Sequence, residues 1–296
     1  MKNRQCLLII LALIPGSVAC RKENPPGRGA REVQVAAAPV LAAAEKELGF
    51  APRFAISIHV AGIRDSPLAT LIRQRITSTE EQEPCLTTLL ETVDSILMLT
   101  NSEAIVVRSS GGPADEQNNL IQFVGLDAPA ALACLKRIEP GAADARLQGE
   151  PTLQYLKNGQ SVHAWAATDR VMVLAGGQYA AKITPKKGVL GRGELTPFHG
   201  ARTVAFFAVG GLTFVRGCGY LDLTDGLKTE LEVTFRDESV AGMTEGRVKA
   251  FLKQTQGCRK KRELFRSVRY LRDASSFGFG ITWSRYELKQ VLNLLQ

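Results

Sequence analysis

Apolar positions recur along the chain at two spacings. In RFAISIHV, Phe54, Ile56, Ile58 and Val60 alternate with smaller or polar residues. In LKTELEVTF, Leu227, Thr229, Leu231, Val233 and Phe235 face one way against Lys228, Glu230, Glu232 and Thr234. Period two predicts strands with one buried and one wet face, which suits antiparallel sheets covered by helices on one side. LQYLKNGQSVHAW carries Asn158-Gly159 and YLDLTDGLKTELEV carries Asp225-Gly226. Both pairs suit two-residue hairpin turns, whose positions need positive φ. The helical spacing appears in DSPLATLIRQRI (Leu68, Leu71, Ile72, Ile76) and in CLTTLLETVDSI (Leu86, Leu89, Leu90, Val93). DAPAALACLKRI starts from Asp127 as a cap, and SRYELKQVLNLL opens with a Ser284/Glu287 capping box. The expected class is α+β: hairpin-built antiparallel sheets with amphipathic helices packed on one face.

TPKKGVLGRGELTPFHG (184–200) is rich in Gly and Pro and reads as a linker between modules at 36–183 and 201–296. Each half offers strand, helix and hairpin pieces. CLTTLLETVDSILMLTNSEAIVV can be laid against CRKKRELFRSVRYLRDASSFGFGITW so that cysteine, helix and strand coincide, as a duplicated module requires.

The first residues change the picture. Lys2 and Arg4 precede an apolar core from Cys6 to Ile14, then Pro15-Gly16 and small residues. That is the grammar of a secretory signal over 1–19, and the core is about half of the ~20 residues a spanning helix needs. Ser17-Val18-Ala19-Cys20 resembles the lipobox of bacterial lipoproteins, with Ser17 where that family usually has Leu. The resemblance implies that Cys20 is acylated and becomes the mature N-terminus, attaching the protein to a membrane through its lipid. Arg21, in place of the Asp that retains such proteins in the inner membrane, implies the outer membrane of a Gram-negative envelope. The alternative is cleavage by ordinary signal peptidase, giving a soluble periplasmic or secreted protein. The body, with its SPL helix, hairpins and terminal YELKQVLNLL helix, is similar to envelope lipoproteins of unassigned function. Residues 20–35, polar and rich in Pro and Gly, read as a flexible tether.

Export exposes Cys85, Cys134, Cys218 and Cys258 to an oxidising compartment, where four body cysteines are expected to pair. Three connectivities are open; Cys85–Cys134 with Cys218–Cys258 places one bridge in each half. The formal charge of +8 falls to +6 when Lys2 and Arg4 are removed, too low a density for a dedicated nucleic-acid binder.

No nucleophile elbow, zinc-protease helix, phosphate loop or calcium loop occurs in the sequence. Ser161 and His163 lie on one face of a predicted strand about 7 Å apart, beyond the ~3 Å that a nucleophile and its base require. With Asn158-Gly159 as the turn, Lys157 opposes Gln160 and Gln154 opposes His163, so Gln154, Ser161, His163 and Trp165 share a candidate ligand face. Three histidines, His59, His163 and His199, offer little for a metal site, and no cofactor is implied. Between Arg247 and Arg272 a basic helix is predicted, burying Leu264, Phe265, Val268 and Leu271 and presenting Arg262, Arg266 and Arg269 outward. Such a stripe is either a solvated face or a surface for anionic lipid or an acidic envelope partner. The sequence therefore points to a lipid-anchored, non-enzymatic envelope protein with a binding or scaffolding role. The alternative is an exported hydrolase whose site is assembled from distant residues.

Overall fold

The computed structural model describes residues 28–48, 51–64, 66, 69, 85, 91–101, 119–157, 159–182, 197–200, 202–210, 214–255 and 265–294. In chain order they form α1 (Arg28–Leu48), β1 (Phe54–His59), α2 (Val60–Arg64), β2 (Ser95–Thr100), β3 (Asn119–Val124) and α3 (Ala128–Ile138). These are followed by β4 (Ala143–Leu147), β5 (Glu150–Lys157), β6 (Gln160–Thr168), β7 (Val171–Gly176) and α4 (Gln178–Lys182). The second half supplies β8 (Val204–Val209), β9 (Phe214–Asp222), β10 (Gly226–Phe235) and α5 (Glu238–Thr255). A short 3-10 turn (Phe265–Ser267), β11 (Arg269–Asp273), β12 (Ser276–Ser284) and α6 (Arg285–Leu294) complete it.

The strands make one twelve-stranded sheet in the order β11-β12-β10-β9-β8-β1-β2-β3-β7-β6-β5-β4. Every pairing is antiparallel. The first strands of the two halves, β1 and β8, meet at the centre, with Ser57 opposite Ala205. From that seam each half runs outward in the same way. Three consecutive strands are laid down, a helix follows, and hairpins return so that the half's last strand pairs with its third: β7 with β3, β12 with β10. The matching pieces are not those the sequence alignment paired. The strand of SILMLT is the second of its half, whereas RYLRD forms β11, a returning strand.

The expectation of helices on one face is corrected: both faces are covered. On the front, α1 lies across β8, β9 and β10 and reaches α4. Its Ala30, Val33, Ala37, Val40 and Ala44 are buried with Leu97, Leu99, Val173, Phe207 and Tyr220 in one core. On the back, α3 packs on β6 and β7, while α5 and α6 pack on β10 and β12 around Leu227, Val248, Phe279 and Leu288. The supposed wet positions of β1, Ala55 and Ser57, are fully buried. They are small because a helix approaches the sheet there, and alternation by size resembles alternation by polarity. The tether is corrected for the same reason, since residues 28–35 are the first turns of α1. Within the former linker, Phe198 is buried in the front core and the His199 ring stacks on His59 at 4.8 Å; 183–196 lie outside the described residues.

Local signals that stand on side-chain chemistry are reproduced. Asp127 accepts the Ala130 amide at 3.0 Å at the start of α3. At α6 the Ser284 amide donates to Glu287 at 2.8 Å and the Glu287 amide to the Ser284 hydroxyl at 3.3 Å, a reciprocal capping box. The Asp225-Gly226 turn differs: Asp222 pairs with Lys228, so the loop is longer than two residues and Gly226 already pairs with Ser284. Of the DSPLATLIRQRI segment only Ser66 and Ala69 are among the described residues.

Candidate functional site

The hairpin of β5 and β6 has the register read from the sequence, Lys157 opposite Gln160 and Gln154 opposite His163. Its polar groups bond to one another. Thr152 Oγ1 lies 3.1 Å from His163 Nδ1, and Gln154 Nε2 donates to Ser161 Oγ at 2.7 Å. Ser161 and His163 are thus engaged with different partners and do not form a nucleophile and base. Burial lowers the His163 pKa below its ordinary value by disfavouring the charged imidazolium. Trp165 does not stand on a ligand face: it is 2% exposed, packed in the front core.

A second polar constellation lies where α1 begins. A groove of about 570 Å³ is lined by Arg28, Gly29, Glu32, Arg202, Tyr220, Asp222, Lys228 and Glu230. The wet face of β10 supplies Lys228 and Glu230, the end of β9 supplies Tyr220 and Asp222, and the turn before β8 supplies Arg202. Tyr220 is nearly fully buried, with the Arg202 guanidinium 4.5 Å from its ring centre and the Lys228 ammonium 5.9 Å away. Burial first, and then the neighbouring Glu230 carboxylate, push the Tyr220 phenol well above its ordinary pKa. Arg202 Nη2 is 2.5 Å from Glu32, and the Gly29 amide donates to Glu230 at 2.8 Å. Three cations and three carboxylates surround one aromatic ring, an arrangement that favours ligands bearing both signs of charge over a polyanion. Among the described residues no group of three or more His, Cys, Asp or Glu converges to hold a metal ion.

Sequence reasoning missed this groove because its residues come from α1, β9, β10 and the turn before β8. The available signal was the run Lys228, Glu230, Glu232 on one strand face; nothing local indicated that α1 would land on it.

The remaining candidates divide. Cys85 and Cys134 form a disulfide with Cα atoms 5.8 Å apart. The Cys218–Cys258 bridge is corrected: Cys218 is a buried free thiol beneath α1, while Cys258 lies outside the described residues. Cys20 also lies outside them. The basic helical stripe is overturned as well. Arg266 sits in a 3-10 turn and Arg269 begins β11, so helical spacing does not relate them, and Leu271 is 45% exposed instead of buried. Arg262 is outside the described residues. The helix ends at Thr255 and the chain re-enters the sheet as an edge strand, where alternation, not a helical period, sets the faces.

Among the described residues no helix is long and apolar enough to cross a membrane. No family model and no curated protein matches the chain. Solved structures with a similar chain trace include crystal form III of TP0453, at a TM-score of 0.47 and 11% identity over 82% of this chain and 94% of that one. Crystal form I of TP0453 gives 0.42 and 12% over the same shares. Likeness at this level assigns neither fold nor function.

Proposed function

We propose that the chain is exported, acylated at Cys20 and held at the cell envelope as a non-enzymatic binding or scaffolding protein. The observation that carries the export half of this reading is the Cys85–Cys134 disulfide, a bond that persists in oxidising compartments and is rare in reducing ones. Cys218 escapes pairing because it is buried under α1, so a free thiol is compatible with export. The signal grammar and SVAC support the anchor. The outer membrane is the membrane that Arg21 favours.

The binding half rests on the groove around Tyr220, which offers recognition chemistry without a nucleophile beside a base. A hydrolase finds no support at Ser161 and His163, whose polar atoms are occupied by Gln154 and Thr152. Anionic lipid remains a partner only as the surface to which the anchor brings the body, since the arginine stripe does not form. The shared winding of the two halves about the β1–β8 seam supports a duplicated module as the origin of the scaffold.

Cys20→Ser tests the anchor. The wild-type protein is expected in the membrane fraction and released by detergent. The variant should appear in the soluble exported fraction with its Cys85–Cys134 bridge intact. A variant that stays with membranes in high salt contradicts lipid anchoring.

A further inference from the structure

We infer that the N-terminal half of α1 is a detachable latch on the sheet, held by charged contacts and hinged near Pro39, whose release uncovers Cys218. The inference does not depend on acylation of Cys20.

The front face of β10 has the composition of a strand that faces water: Lys228, Glu230, Glu232 and Thr234. The first turn of α1 nevertheless lies on it. The contact is made by charge: the Gly29 amide to Glu230 and Arg31 Nε to Glu232, both at 2.8 Å, and Glu32 to Arg202 at 2.5 Å. Apolar support there comes from small side chains: Ala30, Val33 and Ala37 are buried before Pro39, while Val40 and Ala44, with Leu41 and Ala43 partly buried, secure the helix beyond it. Pro39 separates the two stretches. Lacking an N–H, it leaves the Val35 carbonyl without its helical donor, which is where helices bend.

The charged contacts are also vulnerable. Arg31 is two-thirds exposed while its partner Glu232 is almost fully enclosed. Removing the arginine leaves a carboxylate covered and unpaired, and the least disruptive relief is for the helix to lift and let water in. Gly29 is needed for a different reason: a Cβ at this position would lie 2.5 Å from Tyr220 Cε1 and 2.8 Å from Glu230 Oε2. Under the closed latch sits Cys218, opposite Glu232 on β9 and on the same face as Tyr220. Burial, with a smaller push from Glu232, raises its thiol to about 11, so the closed form keeps it neutral as well as covered.

The test is alkylation of the intact native chain with N-ethylmaleimide, read at Cys218 by peptide mass spectrometry so that other cysteines do not contribute. Amide exchange is followed in parallel. Arg31→Ala, Gly29→Ala and 1 M salt on the wild type should each raise the Cys218 rate about tenfold, the size expected when one charge-assisted contact gating a local opening is lost. Gly29→Ala is informative because alanine favours the helix itself, so any loosening comes from its Cβ against Tyr220 and Glu230 and not from helix propensity. Residues 28–38 should lose exchange protection while β8, β9 and β10 keep theirs. Unchanged labelling in the variants overturns the latch. So does faster labelling accompanied by equal loss of protection in β8–β10, which would mark global opening.

Discussion

Replacing Cys85 and Cys134 together by alanine should lower the unfolding free energy by about 4 kcal/mol. The bridge joins residues 49 apart and closes a loop containing β2 and β3. Chain-entropy reasoning for a loop of that length gives ~4 kcal/mol, taken mostly from the freedom of the unfolded chain. The native end is firm, since Cys134 is fully buried on the sheet-facing side of α3 beside Ala128 and Ala131. Urea unfolding of the wild type with and without dithiothreitol should reproduce the difference between wild type and double variant. A loss below about 1 kcal/mol would mean that the unfolded chain is already restricted without the bond.

Gly226→Ala should cost about 4 kcal/mol, combining backbone strain and a collision that cannot relax. Gly226 has φ +136°, a region that L side chains rarely adopt, and a Cβ there would stand 2.1 Å from the Trp283 carbonyl oxygen of β12. The obstructing atoms are backbone of a paired strand, not the end of a flexible side chain. Gly159→Ala is the control. It too has positive φ, at 80°, but nothing lies within 4 Å of its Cβ, so strain alone applies and about 1 kcal/mol is expected. Similar losses at both sites, measured by chemical unfolding, would show that the β10–β12 contact yields more readily than its geometry implies.

Gly226 also shows how far the sequence could be read. Asp-Gly marked a change of direction correctly, but the register of β9 against β10 is set along the whole strand by Leu227, Leu231 and Val233 facing back, and it pulls the glycine into the ladder. Signals carried by one residue and its near neighbours were legible: the Asp127 cap, the Ser284/Glu287 box and the hairpin register at Gln154 and His163; the Cys85–Cys134 bridge was one of three open connectivities. Signals that depend on what lands on a face were not. Ala30, Val33, Ala37, Val40 and Ala44 recur at alternating spacings of three and four, a helical stripe in plain view. Arg28 and Gly29, at the end of a polar run rich in Pro and Gly, disguised its start as tether, and alanine is too small to mark a core by hydrophobicity. Without that helix, Ala55 and Ser57 read as wet, Cys218 as available for pairing, and the groove around Tyr220 had no wall. The basic run after Thr255 failed through its period: counted every three or four residues it makes an arginine stripe, but Arg269 onward is strand.

Attachment at Cys20 is tested most directly by the intact mass of the mature protein purified from native envelopes. Loss of residues 1–19 together with the added mass of acyl chains on Cys20 is predicted, with two hydrogens missing for the Cys85–Cys134 bond. A mature chain carrying an unmodified Cys20, or one that retains residues 1–19, would contradict it.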